Sequence, residues 1–309
     1  MEQKKFDLNS LIGFLLIGGI LIWMLYLNKP TEEEIQAEKA KTEAAAKQDV
    51  EASKTKEEVT LAQATSDSMT VKGDSLAFEQ LKNKLGSFAY SETLPSATEG
   101  TTVLENDVLY LEVSNKGGYI TEALLKNFTK YDSVPVYLIK DGTASLNLQF
   151  TSENRTLNSQ ELYFEPTLSK NGEDQVLSMK LKTSENGFIE YRYTLHPGEY
   201  MMDFSINSQG LDGIINTSQP MYLDWQLKGY RHAKSISYEN RYSRLTYEYD
   251  DEKHSKLSPS GEDDELEKDV TWMNFRQHFF SSMLLTDTPF KEVKLTSVDL
   301  VKNEEVDTT

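Results

Sequence analysis

Residues 188–195 read FIEYRYTL, that is Phe188-Ile189-Glu190-Tyr191-Arg192-Tyr193-Thr194-Leu195. Large apolar residues alternate here with polar ones. That is the period of a strand whose successive side chains point to opposite faces, in a sheet with one wet face. Asn186-Gly187 precedes the stretch and His196-Pro197-Gly198 follows it, so turn chemistry bounds it on both sides. Apolar runs of the same kind recur at short spacing over 134–139, 146–150, 162–164, 176–181 and 201–206, punctuated by turns such as Asn171-Gly172. Upstream, Val103, Leu104, Val108, Leu109, Leu111 and Val113 form a run read as one strand, with Asn106-Asp107 and Asn115-Lys116-Gly117-Gly118 as its turn signals. Many short strands with regular turns and few helical patterns predict a mainly β protein, a β-sandwich. No repeat of fixed period is present.

Outward from this β-rich region the composition changes. Residues 8–27, LNSLIGFLLIGGILIWMLYL, carry no formal charge. As a helix they would be roughly 30 Å long, the thickness of a bilayer's hydrocarbon core. Trp23 and Tyr26 lie near the far end, where amphipathic rings favour the headgroup region. Lys4 and Lys5 precede the run, while Lys29 and then Glu32, Glu33 and Glu34 follow it. This asymmetry predicts a cytoplasmic N-terminus over 1–7, an anchor over 8–27 and an exported remainder. A cleavable signal peptide is the competing reading. It is disfavoured by the length of the run and by Asn28-Lys29-Pro30, which offers no small-x-small site. Residues 28–84 are expected to form an acidic low-complexity tether, since the stretch after Pro30 is built from Ala, Glu, Lys, Gln, Ser and Thr and cannot bury enough apolar surface to offset ordering its backbone. Residues 85–309 then form the folded domain.

Asp and Glu number 50 against 32 Lys and Arg in 309 residues, a net charge of −18. That balance argues against nucleic acid, whose binding needs clustered cations. With no cysteine there is no disulfide framework, zinc-thiolate site or thiol nucleophile. No nucleophile elbow, phosphate-binding loop, dinucleotide fingerprint or zinc-binding helix motif occurs. His196, His232, His254 and His278 are well separated in sequence, and His196, beside Pro197-Gly198, reads as an exposed turn histidine. The acidic cluster Glu262, Asp263, Asp264, Glu265 and Glu267 reads as a solvated loop. Trp225, Tyr230, Tyr238, Tyr242, Tyr247 and Tyr249 offer rings for a sugar groove, but the alternation of Tyr247 and Tyr249 with polar neighbours fits one face of a sheet better. No catalytic, cofactor-binding or metal-binding residue is assigned, and the chain is expected not to be an enzyme.

The order of these features resembles the front half of the YidC/Oxa/Albino family of membrane protein insertases, in its Bacteroidetes-like form. Three segments carry the resemblance: 108–125 with its Gly117-Gly118 pair, 191–204 with the turn His196-Pro197-Gly198-Glu199-Tyr200, and 272–285, WMNFRQHFFSSMLL. The last is ambiguous locally. Trp272, Phe275, Phe279 and Met283 make a helical stripe, while Met273, Phe275, Gln277 and Phe279 fit alternation. The resemblance favours a strand, with core packing as its role. It implies a periplasmic β-supersandwich, similar to galactose mutarotase-like domains, followed in the family by five membrane helices that hold a polar client groove. No second hydrophobic span follows Leu285, so this chain is expected to be the N-terminal part without that five-helix core, and no groove residue carries over. The implied role is to help membrane proteins insert and fold in the bacterial inner membrane, alone or with the Sec translocon and its accessory subunits. A polar groove would lower the cost of moving client charges through hydrocarbon, about 3 kcal/mol each on insertion scales. The implied partners are nascent membrane-protein clients, the translocon, and lipid around residues 8–27, with no cofactor and no nucleic acid. The alternative is an anchored periplasmic carbohydrate-binding or aldose-epimerase-like domain, which predicts a His and a Glu converging on a sugar hydroxyl in a concave site.

Overall fold

The structure, a computed structural model, describes residues 70–250 and 252–301. The expected cytoplasmic residues 1–7, the anchor over 8–27 and the tether as far as residue 69 lie outside the described residues. Among the described residues, no helix is long and apolar enough to cross a membrane.

The chain opens with helix α1 (Thr70–Leu85) and a 3-10 helix (Gly86–Thr93). Four strands follow, β1 (Thr101–Glu105), β2 (Leu109–Ser114), β3 (Ile120–Thr129) and β4 (Pro135–Ile139), which form a meander in sequence order. Then come β5 (Ala144–Ser152), β6 (Arg155–Asn158), β7 (Glu165–Asn171), β8 (Asp174–Lys182), β9 (Phe188–Leu195), β10 (Met202–Gln209) and β11 (Tyr222–Leu227). β7 to β10 make a second antiparallel meander, and β11 and β6 flank β5 in a third sheet. After helix α2 (Ile236–Tyr242) come β12 (Arg244–Tyr249), β13 (Lys253–Lys256), β14 (Glu262–Glu267), β15 (Val270–Arg276), β16 (Ser281–Phe290) and β17 (Val293–Val298). These give a sheet ordered β13-β12-β15-β16 and a two-stranded ribbon of β14 with β17.

The fold is mainly β, and two cores support it. The first takes buried side chains from the first three sheets, among them Leu104, Leu111, Leu125, Phe150, Leu177 and Tyr191. The second is small: Leu245, Tyr247, Leu257 and Leu295, with Met273 and Phe275 against them. β9 shows how the alternation of FIEYRYTL is used. Ile189, Tyr191, Tyr193 and Leu195 point into the first core, while Arg192 is exposed. Glu190 is buried on the outer face, because Ser178 Oγ on β8 donates to its carboxylate at 2.5 Å and Arg192 bonds it from the same strand.

Several sequence-based expectations are corrected. The run 103–113 is a hairpin, not one strand: the side-chain oxygen of Asn106 accepts from the backbone N–H groups of Val108 and Leu109 and reverses the chain between β1 and β2. Residues 162–164 are extended, with Leu162 and Phe164 buried, but make only a single bridge, Lys116 with Tyr163. The acidic cluster is no loop. Glu262–Glu267 is strand β14, paired along its whole length with β17, and its charges protect an exposed ribbon. Residues 70–84, drawn with the tether on composition, form helix α1, because Leu81 and Leu85 one turn apart meet the first core. Beyond it, Phe88 of the 3-10 helix is fully buried and meets Phe150 edge-on at 5.2 Å.

The Gly117-Gly118 pair has a steric reason. Both residues adopt positive φ, +83° and +66°, between β2 and β3. A Cβ on Gly118 would stand 3.0 Å from the ring of Phe164, and the Tyr193 hydroxyl donates to the Gly118 carbonyl at 2.7 Å. The turn is therefore clamped between β9 and the buried Phe164. Gly118→Ala is expected to destabilise the domain by about 1–3 kcal/mol, and Tyr193→Phe by about 1 kcal/mol through the orphaned carbonyl. Urea unfolding of the full chain, followed by circular dichroism, measures both.

Candidate functional site

A groove of about 1190 Å³ runs between the first core and the β15–β16 hairpin. β3, β10 and β11 contribute Leu125, Phe204 and Trp225 to one side, and residues 281–287 of β16 form the other. β16 pairs with β15 alone, through contacts such as Met273 with Leu284 and Trp272 with Leu285. Its second edge stands at the end of the sheet, with main-chain donors and acceptors unused by any strand among the described residues.

Large apolar side chains cluster along this edge with much of their surface in water. Phe279 is 64% exposed, Leu285 49% and Met283 39%, and Phe128, Tyr200 and Met201 face the same groove with similar exposure. Clusters of exposed large apolar side chains of this kind are the usual mark of an interaction surface. The expectation that the 272–285 segment packs in a core holds for part of it: Met273 and Phe275 lie against the second core and Phe280 against the first. The segment folds as a strand, a turn and a second strand: Phe279 stands in the turn, and Met283 and Leu285, opposite Asn274 and Trp272, lie on the other face of the sheet from Met273 and Phe275, so all three stay outside both cores. Alternation on the sequence signals a strand, but it does not say which face is wet.

Aromatic contacts at the turn of the hairpin help to hold it in place. Phe280, at the foot of β16, packs edge-on against the His232 ring at 5.1 Å and against Phe128 at 5.5 Å. His232 is buried, with Nε2 2.8 Å from the Tyr137 carbonyl of β4. The backbone N–H groups of His232 and Ala233 donate to Glu239 Oε2 of α2 at 2.7 and 2.8 Å, and His232 Nδ1 stands 3.5 Å from Oε1. Burial pushes the Glu239 carboxyl up, but His232 and the two backbone donors outweigh it and hold the carboxyl below the usual carboxylate range.

His196 is not a free turn histidine. Its Nδ1 lies 2.8 Å from Asp174 on β8 and its Nε2 lies 3.2 Å from Asp203 on β10. Asn106 Nδ2 donates to the His196 carbonyl at 2.7 Å, fixing the turn to the β1–β2 hairpin. The Asp174 bond, then the Asp203 bond, raise the His196 pKa. The two carboxylates sit on opposite ring nitrogens, so the three groups cannot chelate one ion, and the described residues hold no group of three acids and histidines suited to a metal.

The aromatic residues do not converge on a sugar platform. Tyr247 is buried with Tyr249 beside it at 5.6 Å, Tyr242 stacks on His278 while Tyr238 meets it edge-on, and the Tyr230 hydroxyl donates to Asp141. Of the six, only Trp225 lines the groove, edge-on to Phe275 at 4.7 Å. His232 and Glu239 do meet, but both are buried and neither lines the groove. The arrangement offers apolar side chains and a free strand edge, and sequence reasoning found the segment that supplies them without finding its exposure.

The family model described as YidC periplasmic domain matches residues 101–308. The membrane protein insertase YidC of Parabacteroides distasonis is 32% identical over 299 residues, covering 94% of this chain and 46% of that protein. Those of Bacteroides fragilis ATCC 25285 and Porphyromonas gingivalis ATCC 33277 are 31% and 30% identical over 296 residues, each covering 94% of this chain and 45% of the relative. The chain thus spans about half the length of the curated relatives it matches.

Raised by its two carboxylates, the His196 pKa sets a sign. The histidine's contribution to stability is fully present below its unfolded pKa, about 6.5, and is lost as the pH rises through the raised folded value. His196→Asn should remove that loss, flattening the melting temperature across the same window, as differential scanning calorimetry will read.

Proposed function

Because the chain belongs to the YidC periplasmic domain family, we propose that it is the anchor and periplasmic part of a membrane protein insertase of the bacterial inner membrane. The observation that carries this reading is the family match over residues 101–308. Residues 8–27 cross the membrane in contact with lipid, residues 1–7 stay in the cytoplasm, and residues 28–69 tether the domain outside. Its partners are nascent membrane-protein clients and the Sec translocon with its accessory subunits.

The work is non-covalent. An extended apolar segment on its way to the bilayer must keep its backbone groups paired, since each unsatisfied group costs several kcal/mol, on the order of 4, in hydrocarbon. The free edge of β16 offers such pairing by strand addition, and the groove beside it takes alternate side chains. Phe279, Met283 and Leu285 supply the apolar contact, and the unbranched Met adapts to different client side chains. Covering one such residue is worth about 1.5–3 kcal/mol, so a short segment is held and then released.

The test uses the full chain carrying a photo-crosslinking amino acid at Met283 during synthesis of an inner-membrane protein. Crosslinks to the nascent client are expected at Met283 and not at Leu168, which is as exposed but lies on β7 away from the groove. Equal yields at both positions would contradict the reading. Leu285→Asp, on the groove wall, should weaken client capture about tenfold, equivalent to about 1.4 kcal/mol, while leaving the thermal midpoint of the domain unchanged.

A further inference from the structure

A second cavity, of about 410 Å³, lies between the segment after β11, helix α2, strands β12 and β15, and the end of β17. Its lining holds four cationic side chains, Lys228, Arg231, Arg244 and Arg276, and two carboxylates, Glu239 and Asp299. In a chain of net charge −18 this is a local reversal of sign. The two carboxylates offset it only in part, leaving four positive charges against two negative, and one oxygen of each is engaged by neutral donors. Glu239 Oε2 is taken by the backbone donors of His232 and Ala233, and Asp299 Oδ1 accepts from Asn240 Nδ2 at 3.1 Å and from the Val301 N–H at 2.9 Å. None of the four cations takes part in an ion pair among the described residues.

Arg244 and Arg276 are direct cross-strand partners on β12 and β15. Side chains at such positions share a face with Cβ atoms about 5 Å apart, and like charges there repel. Arg244 Nη2 donates to the Arg241 carbonyl at 2.8 Å, but its Nε is buried with no hydrogen-bond partner. A buried guanidinium donor left unpaired, beside the exposed guanidinium of Arg276, which makes no ion pair among the described residues, is costly unless an anion completes the site. Arg231 is held in place by the carbonyls of Ala233 and Lys234, and Lys228 is exposed at the mouth. Val298 and Leu300, more than half exposed, line the same cavity and put apolar surface beside the cations.

We propose that this cavity binds a phosphate group, free in solution or as the headgroup of an anionic phospholipid, gripped by Arg244 and Arg276 with Lys228 at the entrance. The guanidinium fork matches two phosphate oxygens at once, and one bound anion both occupies the unpaired Arg244 Nε and screens the Arg244–Arg276 repulsion. Val298 and Leu300 accept the first carbons of an attached chain.

Isothermal titration of the full chain in non-ionic detergent, at constant ionic strength, tests this with two probes: inorganic phosphate and dihexanoylphosphatidylglycerol. At least one is expected to bind saturably and to raise the thermal midpoint. Binding of phosphatidylglycerol alone identifies the lipid source, and binding of inorganic phosphate alone identifies the soluble one. Arg276→Gln and Arg244→Gln should each weaken binding at least tenfold, and Lys228→Gln, on the exposed mouth, several-fold without disturbing the fold. Should Arg244→Gln fail to fold, the Arg276 and Lys228 variants and the ligand-dependent midpoint of the unaltered chain still decide. Absence of binding by both probes, or equal binding by the folded variants, overturns the proposal.

Discussion

The His232 ring, buried between the Tyr137 carbonyl, Glu239 and Phe280, is the contact on which the working surface depends. It joins the first meander, helix α2 and the turn into β16 at one point. Polar groups placed this deep are stabilising only when they are paired, and the Glu239 carboxylate accepts two backbone N–H bonds there. With Phe280 fixed at its foot, β16 continues past the first core without packing on it. That offset leaves both the groove and the unpaired edge.

An exposed apolar strand edge is a liability that most proteins cover or charge. This chain treats its edges differently from one another. β14 carries Glu262, Asp263, Asp264 and Glu265 along an exposed ribbon, whereas β16 presents Ser281, Met283 and Leu285 with Asp287 as its one acid. The contrast within one molecule separates an edge that is protected from one that is kept available.

The sequence made the first core legible. FIEYRYTL alternates because β9 has one face in that core, and the runs over 134–139, 146–150 and 176–181 fall on β4, β5 and β8 for the same reason. Legibility fails where the environment is not set by local pattern. The hairpin at Asn106 depends on a side-chain bond that composition does not reveal, and β14 is a strand because β17 pairs with it across the chain. Helix α1 looked like tether because its apolar anchors to the first core, Leu81 and Leu85, are few and confined to its last turns. The groove was the least visible feature. Phe279, Met283 and Leu285 have the composition of core residues, but Phe279 stands in the turn before β16, and Met283 and Leu285 take the face of the sheet away from the second core. The Arg244–Arg276 pair was equally hidden, since thirty-odd residues and a strand register separate them.

Amide hydrogen exchange along β16 tests the central claim most directly. Free, the outward-facing amides of residues 281–287 should exchange quickly beside the protected amides of β15. With a bound, extended apolar client segment they should slow by an order of magnitude or more, while β14 and β17 remain unchanged. Exchange along β16 that is already slow in the free protein, or that stays fast when the segment is bound, would contradict the account.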